Sequence, residues 1–123
     1  MIGDNDYEKL YDACFKVYNL NYNYAYKGKS LDKVLDTNNG VCYHYATIVK
    51  ILLENEGLEV EPVICYMDGD RSETHVIIRT KIDGRWVYSD PTNVKDLGIY
   101  KVMIPYDELV KVYQPVHYTA IDW

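Results

Sequence analysis

The stretch that decides the fold runs from Asn39 to Leu53 and reads NGVCYHYATIVKILL. It opens with an Asn-Gly turn signal and passes directly into an apolar run whose members lie around most of a helix. Glu56-Gly57 can end that helix, because glycine readily takes the left-handed conformation that follows many helices. The pattern therefore predicts a buried helix that begins at Cys42.

The predicted position of Cys42 in the first helical turn affects the chemistry of its thiol. Unpaired backbone N–H groups and the positive end of the helix dipole favour an anion there, so the thiol loses its proton more easily. The resulting thiolate is the nucleophilic form of cysteine. The other interpretation makes Cys42 a small apolar residue that opens a core helix. The helix considered alone favours this second interpretation, and the balance depends on residues further along the chain.

Asp83-Gly84 lies between two strand-like segments, Thr74 to Ile82 and Arg85 to Pro91, and predicts a two-residue hairpin loop. In that register His75 lies on the same face as Asp90, as its diagonal neighbour. Diagonal neighbours are roughly 7–8 Å apart at Cα, within reach of side chains of this length. Hairpin geometry therefore predicts that a carboxylate can orient the imidazole.

A His–Asp pair by itself can be purely structural. A cysteine at a helix start adds the missing nucleophile, so Cys42, His75 and Asp90 form a candidate set of nucleophile, base and orienting carboxylate. This is the arrangement that acyl transfer through a covalent intermediate requires.

The motifs around these three residues resemble those of a known family. The motifs are Gly40-Val41-Cys42-x-x-Tyr45-Ala46, Thr74-His75-Val76 and Trp86-Val87-x-x-Asp90-Pro91-Thr92. In order and spacing they resemble the transglutaminase-like superfamily of papain-type cysteine enzymes, in its minimal bacterial or archaeal form. The resemblance extends from about Leu31 to Thr92.

The resemblance implies that Cys42 is the nucleophile, His75 the general base and Asp90 its orienter. It also implies a strand over Tyr100 to Ile104, followed by a short helix over Asp107 to Tyr113. The family often has Ala-Trp after the histidine, whereas Val-Ile follows here, and the calcium dependence of the animal enzymes is not carried over.

An oxyanion-assisting Trp or Gln upstream of the cysteine is not identifiable, so the backbone N–H of Cys42 is the expected donor. His44 points away from the thiol on a helix and is expected at the surface or rim, with cleft lining as the other option. The weaker oxyanion or cleft candidates are Asn38, Asn39, Tyr24, Tyr43 and His44.

The whole pattern predicts an α+β fold in one domain over residues 1–123. We expect a helical part over about 4–57, a sheet part over about 58–104, and a short helix and tail over about 105–123. The Cys42 helix would pack on an antiparallel sheet of three to four strands, beside N-terminal helices. After residue 57 the apolar residues fall on both faces of a strand, which indicates a sheet covered on two sides.

Local signals add detail to the helical part. Asp4-Asn5-Asp6 can cap a first helix, and the alternating tyrosines from Tyr22 to Tyr26 suit an extended segment. Ser30 can cap a short helix that continues to about Asp36. The residues expected to face inward are Cys14 on the first helix, Leu31, Val34 and Leu35 on the short helix, and Cys65 on the strand.

Composition narrows the class of partner. The formal net charge of −6 and the absence of a basic patch in the sequence argue against nucleic acid or an anionic membrane as the main partner. No run is apolar enough for membrane insertion, and the first residues do not read as a signal peptide. We therefore expect either a cytoplasmic protein or an extracytoplasmic domain of a longer secreted parent. The three cysteines predict neither a disulfide framework nor a metal site, and no cofactor is expected.

The favoured hypothesis is a cysteine enzyme that attacks a peptide, protein or cell-wall amide and forms a thioester. Hydrolysis is favoured over cross-linking, because many bacterial-type members of the family that this chain resembles are thought to be peptidases. The alternative is an inactive binding module that holds a peptide or cell-wall glycan. An arylamine acetyltransferase shares the residue order, but its Arg-Gly-Gly before the cysteine is absent and the chain is too short.

Overall fold

The structure of the chain, a computed structural model, describes residues 2–67, 70–94 and 99–117. The helices are α1 (Ile2–Lys16), α2 (Leu31–Thr37), α3 (Cys42–Asn55), α4 (Ile99–Val102) and α5 (Tyr106–Glu108), with 3₁₀ turns at Tyr24–Tyr26 and Pro91–Asn93 and a π-helical turn at Leu109–Tyr113. The strands are β1 (Asn21–Tyr22), β2 (Asn39–Gly40), β3 (Glu59–Met67), β4 (Asp70–Ile82), β5 (Arg85–Ser89) and β6 (Pro115–His117).

Within the described ranges, four strands form an antiparallel sheet in the order β5-β4-β3-β6. Separately, β1 and β2 pair in parallel as a two-stranded sheet, and β2 ends just before α3 begins. The arrangement of helices on an antiparallel sheet is α+β, which confirms the predicted fold class.

The central helix α3 begins at Cys42 and ends at Asn55, as its sequence predicts. Val41 precedes it in an extended conformation, and Gly57 follows it with a φ of +87°, the left-handed conformation that glycine permits. Four of its apolar residues are buried and four more are partly buried in the core that joins α3 to α1 and the sheet, but Ile51 is 43% exposed.

The hairpin between β4 and β5 has the predicted two-residue loop. Asp83 and Gly84 have φ values of 54° and 77°, as a type I′ turn requires. The register then pairs Ile82 with Arg85, and pairing continues to Ser89. The chain leaves the sheet at the next residue, so the carboxylate that follows Ser89 lies at the end of β5.

Two apolar cores cover the two faces of the sheet, which confirms the prediction that the sheet is covered on both sides. One core joins α1, α2 and α3 to the sheet, and the other joins the sheet to the C-terminal turn. Cys14 and Cys65 are both fully buried in these cores, as expected. Residues of the first core include Leu10, Val49, Leu53, Val76 and Ile78, and those of the second include Val63, Ile77, Leu109 and Tyr113.

Five local predictions were wrong. Asn39-Gly40 is not a turn but the short strand β2, because it pairs in parallel with Asn21–Tyr22. Helix α1 begins at Ile2, so the predicted capping residues at positions 4–6 lie inside the helix. The alternating tyrosines form a two-residue strand and then a 3₁₀ turn, because the side chain of Asn23 caps that turn through the N–H of Ala25. Leu35 is 58% exposed rather than inward, although Ser30 does cap α2. Residues 99–102 are helical, not the start of a strand.

Candidate active site

The site begins with the short strand β2 that delivers Cys42 to the N-terminus of α3. Gly40 is buried there, and a Cβ added to it would lie 3.1 Å from both the Cβ of His44 and a methyl of Val34. The close approach explains the glycine, because any side chain would push α2 and α3 apart. The packing therefore fixes where the helix starts and where the cysteine lies.

His75 on β4 and Asp90 after β5 are in direct contact. Nε2 of His75 lies 3.1 Å from Oδ1 of Asp90, and the Asp90 side chain is 0% exposed. The sequence prediction that hairpin geometry brings these two side chains together is therefore correct as a statement of geometry.

Further donors hold the other oxygen of Asp90. Nδ2 of Asn93 and Oη of Tyr113 each donate to Oδ2 at 2.7 Å. Burial alone raises the pKa of the Asp90 carboxyl, but the bonds from His75, Asn93 and Tyr113 outweigh it and lower the pKa below its usual range. The buried carboxylate is therefore ionised at neutral pH.

The thiol of Cys42 makes a hydrogen bond with the His75 side chain. Since Nε2 of His75 is engaged with Asp90, the thiol takes Nδ1. Burial raises the pKa of Cys42, but the bond with His75 and its positive charge outweigh burial and lower that pKa. Burial lowers the pKa of His75, yet Asp90 and Cys42 together raise it to about 10. The arrangement favours a thiolate beside an imidazolium.

Tyr22 lies against the same thiol from the β1 side. Its hydroxyl contacts both the thiol and the backbone N–H of Cys42. Burial, and then the nearby Cys42 thiolate, raise the pKa of Tyr22 well above its usual value, so the phenol keeps its proton. A protonated hydroxyl beside a helix-start N–H can donate to an oxygen anion that develops there.

An open cleft of about 400 Å³ lies over the His75 ring. The described lining residues carry aromatic, amide and hydroxyl groups. His75 is the member of the Cys42, His75 and Asp90 set that lines the cleft. The lining residues are Leu20, Asn21, Tyr22, Tyr24, Tyr45, Met67, His75, Thr92 and Asn93.

Among the weaker sequence candidates, Tyr24 lines this cleft and is largely exposed. Asn38 takes a left-handed conformation with a φ of 59° and donates from its amide to the Asn19 carbonyl at 2.7 Å. Asn39 donates to the Thr37 carbonyl at 2.8 Å. These two amides belong to the segment before α3 and are not among the residues that line the cleft.

Tyr43 and His44 are not among the residues that line the cleft. The hydroxyl of Tyr43 donates to the Lys29 carbonyl at 3.4 Å. His44 is 1% exposed, so its expected place at the surface or rim was wrong. Its ring is engaged with backbone groups of Val41 and Lys29 instead.

Sequence reasoning missed three residues of the site: Tyr22, Asn93 and Tyr113. Asn93 had a local signal, because it follows Asp90 by three residues, a spacing at which a short turn returns the side chain. Tyr22 and Tyr113 had none, since each reaches the site only through pairing or packing with distant segments.

Over residues 2–67, 70–94 and 99–117, no cluster of three His, Cys, Asp or Glu side chains could hold a metal ion. In the same part of the chain, no helix combines the length and apolarity needed to cross a bilayer.

The transglutaminase-like superfamily is matched over residues 3–91. Among curated proteins, no sequence matches this chain significantly. A "putative cysteine protease" from Cytophaga hutchinsonii is similar in structure, with a TM-score of 0.60, 16% identity and coverage of 78% of this chain and 38% of that protein.

A second solved structure, described as a TGase, has a TM-score of 0.55 and 17% identity, and the similarity covers 87% of this chain and 36% of that protein. At such identities the similarity concerns the fold alone. This chain spans less than half the length of either protein.

Proposed function

This chain belongs to the transglutaminase-like superfamily, and we propose that it is a cysteine-dependent enzyme that attacks amide or peptide carbonyls. Cys42 is the nucleophile in this proposal, His75 the general acid and base, and Asp90 the group that orients His75. Hydrolysis of the resulting thioester is the main outcome.

The observation that carries the proposal is the chain of contacts from the helix start to a buried carboxylate. The thiol of Cys42 is bonded to one side of the His75 ring, and Nε2 on the other side lies 3.1 Å from Asp90. A buried aspartate that fixes a histidine beside a thiol is the arrangement that activates a nucleophile. Packing alone does not require these polar groups to be in contact.

In the first half of the reaction, the Cys42 thiolate attacks the carbonyl carbon and a tetrahedral oxyanion forms. In this proposal the backbone N–H of Cys42 and the hydroxyl of Tyr22, which contact each other at the helix start, donate to that oxygen. The His75 imidazolium then gives its Nδ1 proton to the leaving amine, the C–N bond breaks, and a thioester remains on Cys42.

In the second half, the now neutral His75 accepts a proton from water as the water oxygen attacks the thioester carbon. The C–S bond breaks, the acid leaves, and the thiolate–imidazolium pair is restored. His75 lines the cleft, so water in the cleft can reach the base that hydrolysis needs.

The substrate class follows from the cleft. Its described lining contains no carboxylate, ammonium or guanidinium group, and three tyrosines contribute flat amphipathic surface. This supports an uncharged amide or peptide segment. This chain spans only part of the length of the similar structures. The substrate of the whole protein is therefore also a proposal.

The test is alkylation of Cys42 by iodoacetamide, read by mass spectrometry of the labelled peptide at neutral pH. We expect Cys42 to react at least about tenfold faster than a free cysteine, because a pKa lowered by His75 provides more thiolate. In His75→Ala the excess rate is lost.

Cys14 and Cys65 are internal controls in the same spectrum. Burial raises the pKa of each thiol to about 12, so both should stay unlabelled in the folded protein. A Cys42 rate equal to that of free cysteine, unchanged by His75→Ala, contradicts the proposed function.

A further inference from the structure

Asp90 is buried, and its two carboxylate oxygens have different partners. Oδ1 lies 3.1 Å from Nε2 of His75, whereas Oδ2 accepts from Asn93 and Tyr113 at 2.7 Å each. A buried charge needs such donors, because withdrawal from water is costly when it is not compensated. Two neutral donors therefore hold the oxygen that faces away from His75.

Tyr113 reaches Asp90 from a part of the chain beyond the family match at residues 3–91. It ends the π-helical turn Leu109–Tyr113, and Gln114 follows in a left-handed conformation with a φ of 43°. Such turns displace side chains relative to a regular helix and often occur at functional sites. The Tyr113 ring is fully buried, and its centroid lies 6.3 Å from that of His75.

Backbone hydrogen bonds hold the segment that carries Tyr113 on both sides of that residue. The N–H of Asp90 donates to the Lys101 carbonyl at 2.6 Å, and the N–H of Tyr66 donates to the Gln114 carbonyl at 3.3 Å. The segment from Lys101 to Gln114 is therefore fixed at both ends, and the reach of Tyr113 toward Asp90 is set by backbone geometry.

Lys101 fixes the ring itself. Its Nζ lies 4.7 Å from the centroid of the Tyr113 ring and is 2.7 Å from a carboxylate oxygen of Glu108. A cation over the face of an aromatic ring is attracted to it, and Lys101 is nearly fully buried. The face of the Tyr113 ring is therefore held by the Lys101 charge, and the Tyr113 hydroxyl is held by Asp90.

The titratable groups that act on Asp90 come from each element packed around it. They are Cys14 on α1, Cys65 on β3, His75 on β4 and Tyr113 on the π-helical turn. Burial raises the pKa of both thiols to about 12, so they stay neutral. Burial also raises the pKa of Tyr113, and the Asp90 charge raises it further, so the phenol remains a donor.

We propose that Tyr113 is a positioning residue whose hydroxyl keeps the Asp90 carboxylate ionised and turned toward His75. The inference rests on the proposed function, since it gives Tyr113 a part in activating Cys42. With the phenol present, Oδ2 is occupied and Oδ1 is directed to the imidazole. Without it, the carboxylate takes up a proton more readily, the imidazolium loses its counter-charge, and the thiolate reverts to a thiol.

The experiment compares the pH dependence of Cys42 alkylation in the wild type and in Tyr113→Phe. We expect the acidic edge, the lower pH limit of Cys42 alkylation, to move up by roughly one pH unit. Loss of a hydrogen bond to the Asp90 carboxylate raises the proton affinity of that carboxylate by about that much. Tyr88→Phe is the matched control, because its hydroxyl accepts from Arg79 at 3.5 Å and is not among the groups that bond Asp90. This control should leave the edge in place.

A second variant covers the case in which Tyr113→Phe does not fold. Site-specific 3-fluorotyrosine at position 113 keeps the shape of the ring and makes its hydroxyl a stronger donor, so the acidic edge should move to lower pH. If neither substitution moves the edge while thermal stability falls, Tyr113 is a packing residue and the inference is overturned. A wild-type rate equal to that of free cysteine overturns the proposed function, and this inference with it.

Discussion

His44 caps the helix that carries Cys42: its Nδ1 accepts the backbone N–H of Val41 at 3.0 Å. Because Nδ1 accepts, the ring proton is on Nε2, which donates to the Lys29 carbonyl at 2.8 Å. One buried ring therefore joins the residue before the helix to the loop before α2. The helix start, and with it the cysteine, depends on this ring.

We predict that His44→Leu lowers the free energy of unfolding by about 1–3 kcal/mol, because the substitution leaves the buried N–H of Val41 without its acceptor. Urea denaturation measures the change. Tyr43→Phe is the comparison, since its hydroxyl bond to the same Lys29 carbonyl is long, at 3.4 Å. That variant should lose no more than about 0.5 kcal/mol. Equal losses in the two variants would show that the ring does not act as a cap.

Asp90→Asn should narrow the pH range in which the Cys42–His75 pair supports hydrolysis. The thiolate–imidazolium pair exists above the lowered pKa of Cys42 and below the pKa of His75, which is raised to about 10. Since Asp90 raises the pKa of His75, its removal moves the alkaline edge to lower pH, by roughly one unit or more.

Values of kcat/KM for an uncharged fluorogenic peptide amide across pH measure that edge, because the leaving amine needs the His75 proton. Because amide replaces carboxylate with little change of shape, the folded structure should persist. An alkaline edge that stays near pH 10 in the variant would mean that Asp90 does not act on His75.

Tyr22→Phe should lower kcat roughly 10- to 100-fold with little change in KM, because one of the two proposed oxyanion donors is lost while the ring surface stays in the cleft. The measurement is hydrolysis of an uncharged fluorogenic peptide amide. Tyr11→Phe is the control, since Tyr11 is on α1 and stacks on Phe15 at 4.5 Å. A change in KM alone would assign Tyr22 to substrate binding.

Gly40→Ala should lower the free energy of unfolding by roughly 1–3 kcal/mol, because the new Cβ lies 3.1 Å from buried atoms of His44 and Val34 that cannot move aside. Denaturant unfolding of Gly40→Ala, Val34→Ala and the double variant separates the loss in unfolding free energy caused by each substitution from the loss caused by their mutual contact. If the close contact with Val34 causes the loss, the double variant should be more stable than the sum of the single changes predicts. Additive losses would contradict that cause.

The local elements could be read from the sequence because their signals are local. The apolar run that follows Gly40 and the stop signal at Gly57 predicted α3, and Asp83-Gly84 set the hairpin register. From that register followed the contact between His75 and Asp90, since side chains on one face of a sheet have fixed spacing. The sequence by itself thus determined the central helix, the hairpin and the meeting of those two side chains.

Only the tertiary structure decided what surrounds them. Tyr22 reaches Cys42 because β1 pairs with β2, and Tyr113 reaches Asp90 because the C-terminal turn packs on the sheet. Both contacts join segments separated by twenty or more residues, as the pair of Tyr113 and Asp90, 23 residues apart, shows. No short-range pattern encodes such contacts, since they depend on how whole elements pack and on the need of a buried carboxylate for donors.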